Sequence, residues 1–80
     1  MSVVKVVELI GSSKESWDDA AKQAIEEAAS TLRNITSVDL VHQTARVEDG
    51  KVSEYRATIH VAFVVEHPAL IAGPAGAASQ

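Results

Sequence analysis

The chain has 80 residues, of which 11 are acidic and 7 basic, giving a formal net charge of −4, with no cysteine and 46% hydrophobic residues. The length allows one domain, and the apolar content excludes disorder by composition. The acidic balance argues against a nucleic-acid backbone or an anionic membrane as partner, since both reward Lys and Arg, and the missing cysteines exclude disulfide scaffolds, zinc knuckles and thiol nucleophiles.

Two further expectations follow from the same arithmetic. The uncharged run over residues 67–80 is too short to span a bilayer, and Met1-Ser2-Val3-Val4-Lys5 does not open as a signal peptide; the expected location is the cytoplasm. A domain of this size hides only about 60% of its chain surface when it folds alone. With no disulfide and no strong metal motif, self-association is the expected support.

The first periodic run covers residues 3–10, is rich in β-branched side chains and stops at Gly11-Ser12-Ser13. It reads as a strand followed by a turn. Alternation places Val4, Val6, Glu8 and Ile10 on one face and Val3, Lys5, Val7 and Leu9 on the other. A strand apolar on both sides is usually covered on both sides, which again points to a subunit interface.

A helix is predicted over residues 17–33. Ser16 followed by Asp19 fits a capping box, and Asp18 places a further negative charge at the positive end of the helix dipole. Trp17, Ala21, Ala24, Ile25, Ala28 and Leu32 recur at helical spacing. The predicted packing stripe is Ala21, Ala24, Ile25, Ala28 and Leu32.

A hairpin follows. Asp49-Gly50 separates two long alternating runs, residues 37–48 and 51–65, and is a strong two-residue turn signal. If Glu48 opposes Lys51, Val38 faces Val61, Leu40 faces Ile59 and Thr44 faces Tyr55. That side, with Ala57 and Phe63, receives the helix. The opposite face then carries Ser37, Asp39, Val41, Gln43 and Ala45 against Glu54, Arg56, Thr58, His60 and Ala62; a bulge would shift part of this register.

The order β-α-β-β with a right-handed crossover leaves a gap between two parallel strands, which the longest and most aliphatic strand fills. The fold class is therefore α+β: a three-stranded antiparallel sheet of order 1-3-2 with one helix across one face. The domain spans residues 1–66, and residues 67–80, with Pro68 and Pro74, form a Pro/Gly/Ala-rich extension.

Catalytic and metal signatures are weak. His42 and His60 fall on opposite faces in this register and His67 precedes Pro68, which is not ligand spacing. Asp39 opposite His60 is a cross-strand pair or half of a binding site. No EF-hand loop, Gly-x-Ser-x-Gly elbow, Walker loop or dinucleotide fingerprint occurs. An enzyme is not expected.

The ordered set Gly11-Ser12-Ser13, Ser16-Trp17-x-x-Ala20-Ala21, Ala28-x-x-x-Leu32, Val41-His42-Gln43, Glu48-Asp49-Gly50 and Tyr55-Arg56-x-Thr58-x-His60-Val61-Ala62-Phe63 resembles the dodecins over about residues 3–66. The resemblance implies a hollow homododecamer with helices outside and sheets lining the interior. It also implies a flavin buffer or store, with flavins stacked in pairs on a tryptophan early in the second strand and held by a glutamine on the third. Here Ser37 and Arg56 stand at those two positions, a pattern that looks like the tryptophan-less calcium-dodecin branch.

The resulting expectation is a non-enzymatic binding and storage shell that associates with itself. Its ligand is an ion or small molecule, calcium in preference to the stacked flavin pair, held by Ser37, Asp39, Gln43, Arg56, Thr58 and His60. The alternatives are riboflavin or FMN held in a different geometry, with Arg56 on flavin carbonyls or phosphate, and a purely structural or partner-binding shell. No metal-ligating residues are assigned.

Overall fold

The computed structural model describes residues 2–66; the extension expected from residue 67 lies outside them. The element order is β1 (Ser2–Ser13), α1 (Trp17–Thr31), β2 (Ile35–Glu48) and β3 (Lys51–Glu66). The strands form one sheet of order β1-β3-β2, antiparallel at both pairings. This is the predicted α+β topology, with the helix joining the two outer strands.

β1 runs past the expected turn. Gly11, Ser12 and Ser13 stay in the ladder, opposite Ala57, Arg56 and Tyr55. Gly11 is there for packing, not for turning: a Cβ at this position would collide with the Ala20 carbonyl oxygen and lie 3.0 Å from the Ala24 Cβ. The helix therefore sits against bare backbone.

α1 begins as its sequence dictates. Ser16 is the N-cap and its Oγ accepts from the Asp19 backbone N–H at 3.0 Å. The reciprocal half of the box is redirected, because the Asp19 carboxylate accepts from Ser13 Oγ at 2.7 Å and from Gln23 Nε2 at 2.8 Å. The helix ends at Thr31, two residues before the expected stop. Leu32 leaves helical geometry (φ −112, ψ 149) with its N–H still bonded to the Ala28 carbonyl. Asn34, at φ 62, then turns the chain into β2.

The buried stripe is Ala20, Ala24 and Ala28, rotated from the predicted one. Ala21 and Leu32 pack at its flank, whereas Ile25 is 39% exposed. The reason is close approach: over Gly11 only the smallest side chains fit between helix and sheet. Ala24, Ala28, Ile59 and Val61 form the core, with Val7, Leu9, Ile35 and Val38 packed around it. β3 is thus the central strand in packing as well as in order.

The hairpin turn is as predicted, with Asp49 and Gly50 both at positive φ (53 and 74), the geometry a two-residue hairpin favours. Over the predicted strand, residues 37–48, the register is correct at both ends and shifted in the middle, with a further irregularity just before it, between Ile35 and Ser37. Val38 opposes Val61, Leu40 opposes Ile59 and Glu48 opposes Lys51, but Tyr55 opposes Ala45 and not Thr44. Val41 is an extra residue on β2 and Ser53 an extra residue on β3, so the shift introduced at one is cancelled at the other. Ser53 uses its hydroxyl to satisfy the Arg46 carbonyl at 3.2 Å.

The helix covers one face only. On the other, Val4, Val6 and Ile10 are 57%, 59% and 63% exposed.

Candidate functional site

The helix-free face is built from cross-sheet rows. Side chains directly opposite one another in a ladder share a face, so the pairings define four successive rows. They are Val6–Ala62–Ser37, Glu8–His60–Asp39, Ile10–Thr58–His42 and Ser12–Arg56–Thr44. One end is aliphatic, the middle carries carboxylates and imidazoles, and the far end carries hydroxyls and guanidinium.

The middle row is held by a direct contact. His60 Nε2 lies 2.9 Å from Glu8 Oε1, and Asp39 faces the same residue from the other outer strand. This leaves two carboxylates on either side of one imidazole. Among the described residues, no three His, Asp or Glu side chains converge on a point that would hold one cation.

At the far end Arg56 is already engaged. Its Nη2 lies 3.3 Å from Glu54 Oε1. The Glu54 carboxyl is held below the usual carboxylate range, chiefly by a hydrogen bond from the Ser12 side chain and then by the charges of Arg56 and Arg46. An open hollow of ≈ 540 Å³ adjoins this end, lined among others by Lys14, Arg46, Glu48 and Glu54. Its charges are largely matched within the chain, Arg46 meeting Glu48 at 3.3 Å.

Of the predicted site residues, Ser37, Asp39, Arg56, Thr58 and His60 share this face. Gln43 does not: it opposes the buried Ala57 and so lies on the helix side. The extra residue at Val41 is the cause. It turns Gln43 and Ala45 over and brings His42, Thr44 and Arg46 round to the helix-free face. His42 and His60 therefore share a face, contrary to the uniform register. Glu8 was legible as the one charge among Val4, Val6 and Ile10, yet only the β1–β3 pairing shows which imidazole it meets.

All of the chain's Trp, Tyr and Phe rings lie elsewhere. There is one of each. Tyr55 and Phe63 are on the helix side of β3, in register with Ser13 and Lys5. Trp17 donates from Nε1 to the Thr44 carbonyl at 2.7 Å and packs edge-on against Tyr55, ring centroids 4.9 Å apart and planes at 77°. Trp17 is thus a strut fixing the start of α1 over the β2–β3 hairpin.

Comparison with known proteins places this architecture. The family model described as Dodecin matches residues 3–66. The calcium dodecin of Mycobacterium tuberculosis is 33% identical over 63 residues, covering 79% of this chain and 89% of that protein. Its crystal structure superposes with a TM-score of 0.68 at 29% identity, covering 94% of this chain and 97% of that one. A variant of the Thermus thermophilus dodecin superposes with a TM-score of 0.77 at 30% identity, covering 84% of this chain and 100% of that one. Among the described residues no helix is long and apolar enough to cross a membrane. With the family match spanning most of the chain and the β-α-β-β fold shared with solved members, the chain belongs to the dodecin family.

Proposed function

We propose that this chain is the subunit of a non-enzymatic, cytoplasmic homododecameric shell. It binds and stores an ion or small molecule on the helix-free face of its sheet, and calcium is the ligand in preference to a stacked flavin pair. The observation that carries this reading is the composition of that face: carboxylates of Glu8 and Asp39 around His60, hydroxyls at Ser37 and Thr58, and none of the chain's Trp, Tyr or Phe rings. Calcium takes six to eight hard oxygen ligands, and stacking needs a π-face. The Mycobacterium tuberculosis relative is described as calcium-chelating, which supports the same choice.

Assembly is integral to the proposal. Among the described residues, one chain does not bring three His, Asp or Glu side chains together, whereas an acidic residue repeated about a symmetry axis makes a ring of oxygens. The exposed aliphatics of β1 support self-association independently, because an 80-residue subunit with one helix leaves them uncovered.

Native mass spectrometry of the purified protein tests both halves, since it counts subunits and weighs what is bound. Thermal melting with added calcium tests the ligand, because a ligand that binds only the folded shell raises its stability. A twelve-subunit species whose melting temperature rises with calcium is the expected result. A stable monomer or dimer at micromolar concentration overturns the shell, and a melting temperature indifferent to millimolar calcium overturns the ligand.

A further inference from the structure

The chain's Asp and Asn side chains are Asp18, Asp19, Asn34, Asp39 and Asp49. Such a side chain can cyclise onto the backbone. The amide nitrogen of the next residue attacks Cγ, the new N–Cγ bond closes a succinimide ring, and the displaced hydroxyl leaves as water with the amide proton. Water then reopens the ring at either carbonyl. One opening restores aspartate. The other gives isoaspartate, in which the main chain runs on through Cβ and Cγ. The reaction needs an unengaged amide nitrogen and little bulk on the residue that supplies it.

At most of these positions the fold obstructs it. The amide after Asp18 is that of Asp19, which donates to Ser16 Oγ at 3.0 Å. The amide after Asp19 is that of Ala20, which donates to the Ser16 carbonyl at 3.0 Å, and the Asp19 carboxylate is itself held by Ser13 and Gln23. Asn34 precedes the β-branched Ile35, and its Nδ2 reaches the Val64 carbonyl at 3.5 Å. Asp39 precedes Leu40 inside the β2 ladder.

Asp49 differs in each respect. The ladder closes with Glu48 opposite Lys51, so Asp49 and Gly50 stand outside it and the Gly50 N–H has no ladder partner. Both residues are exposed. Gly50 has no side chain to crowd the ring, and nothing lies within 4 Å of the place a Cβ would take.

We propose that Asp49-Gly50 is the site at which this chain converts aspartate to isoaspartate through a succinimide. The modification lengthens a two-residue turn by one backbone carbon. The pair of positive φ angles, 53 and 74, suits the twist of the flanking strands and is lost with it. The pairs Glu48↔Lys51 and Val47↔Val52 then lose the turn that sets their register. The hollow lined by Arg46, Glu48 and Glu54 lies at the same end of the hairpin. The proposal does not depend on assembly or on the ligand of the helix-free face.

Peptide mapping of the aged full-length protein tests it. The protein is kept in warm, near-neutral buffer for weeks and digested, and electron-transfer fragmentation separates aspartate from isoaspartate of equal mass. The expected result is isoaspartate at Asp49 in roughly tenfold excess over Asp18, Asp19 and Asp39, the advantage of a glycine nitrogen without a neighbouring Cβ. Asp49→Asn keeps a residue suited to this turn and exchanges the leaving hydroxyl for ammonia. It should convert faster than the parent, read as the mass change of deamidation. Absence of isoaspartate at Asp49, equal levels at the helical and strand positions, or an unchanged Asp49→Asn variant overturns the proposal.

Discussion

Glu8 and His60 meet across β1 and β3 with 2.9 Å between Oε1 and Nε2, and Asp39 faces the same imidazole from β2. One histidine on the central strand is therefore bracketed by a carboxylate from each outer strand. The two acids lie in the same row of the helix-free face.

If that face holds calcium, Glu8→Gln and Asp39→Asn should each weaken it, since an amide supplies one carbonyl oxygen and no charge. Contacts with charged groups are worth about 1.5–3 kcal/mol, so the expected loss is roughly tenfold to a hundredfold in apparent affinity. Calorimetric titration of each variant measures it. Parent-like affinity in both would place the cation away from this row.

The contact between Gly11 and α1 gives a prediction about the scaffold. Gly11→Ala puts a methyl group into the Ala20 carbonyl, a backbone atom that cannot rotate away. Ala24→Leu overfills the same seam, where Ala24 is 5% exposed. Each should cost about 1–3 kcal/mol, read from denaturant unfolding. A Gly11→Ala protein as stable as the parent would show that the helix stands further from β1 than it does here.

The sequence showed this fold well and the site less well, for different reasons. Strand order, the Asp49-Gly50 turn and the Ser16 cap rest on local chemistry that reads off a few neighbouring residues. The helix stripe was misplaced by one alanine because a helix rich in alanine has little amphipathic contrast, and Gly11 was the informative residue. Gln43 went to the wrong face because nothing in Leu40-Val41-His42 marks an extra residue, and in a strand a shift of one reverses every side chain that follows. The compensating insertion at Ser53 hid the error, since both ends of the hairpin still matched.

The acid limb of stability should depend on Asp19. Its carboxyl is held below the usual range by the Ser13 hydroxyl first and by the Gln23 amide second. A carboxyl lowered in the folded state adds stability that is present above its unfolded value, 3.8, and is lost as the pH falls through the lower folded value. Asp19→Asn should therefore unfold more readily than the parent at neutral pH, with the gap narrowing below about pH 4. Urea midpoints measured from about pH 7 down to about pH 3 check this, and a gap that widens on acidification would reverse the assignment.

Flavin binding should be weak or absent. Ser37 supplies no ring at the position where the family resemblance places a stacking tryptophan, and Arg56 can donate but not accept, besides being engaged by Glu54 at 3.3 Å. Trp17 and Tyr55 do not substitute, because Trp17 is tied to the Thr44 carbonyl and Tyr55 is in edge contact with it. Stacking on an aromatic ring is worth about 1–3 kcal/mol per contact by analogy with nucleobases. Its loss weakens binding roughly tenfold to a hundredfold, at about 1.4 kcal/mol per factor of ten. Fluorescence titration with riboflavin and FMN measures this directly, and emission quenched at nanomolar protein would contradict it. The converse variant, Ser37→Trp with Arg56→Gln, restores a π-face on the row next to His60 and an amide two rows from it on the other side. It should improve flavin affinity by a similar factor if the remaining rows still form the pocket. No improvement would mean that the bracketed imidazole and the turned-over Gln43 have changed the face beyond what two residues can restore.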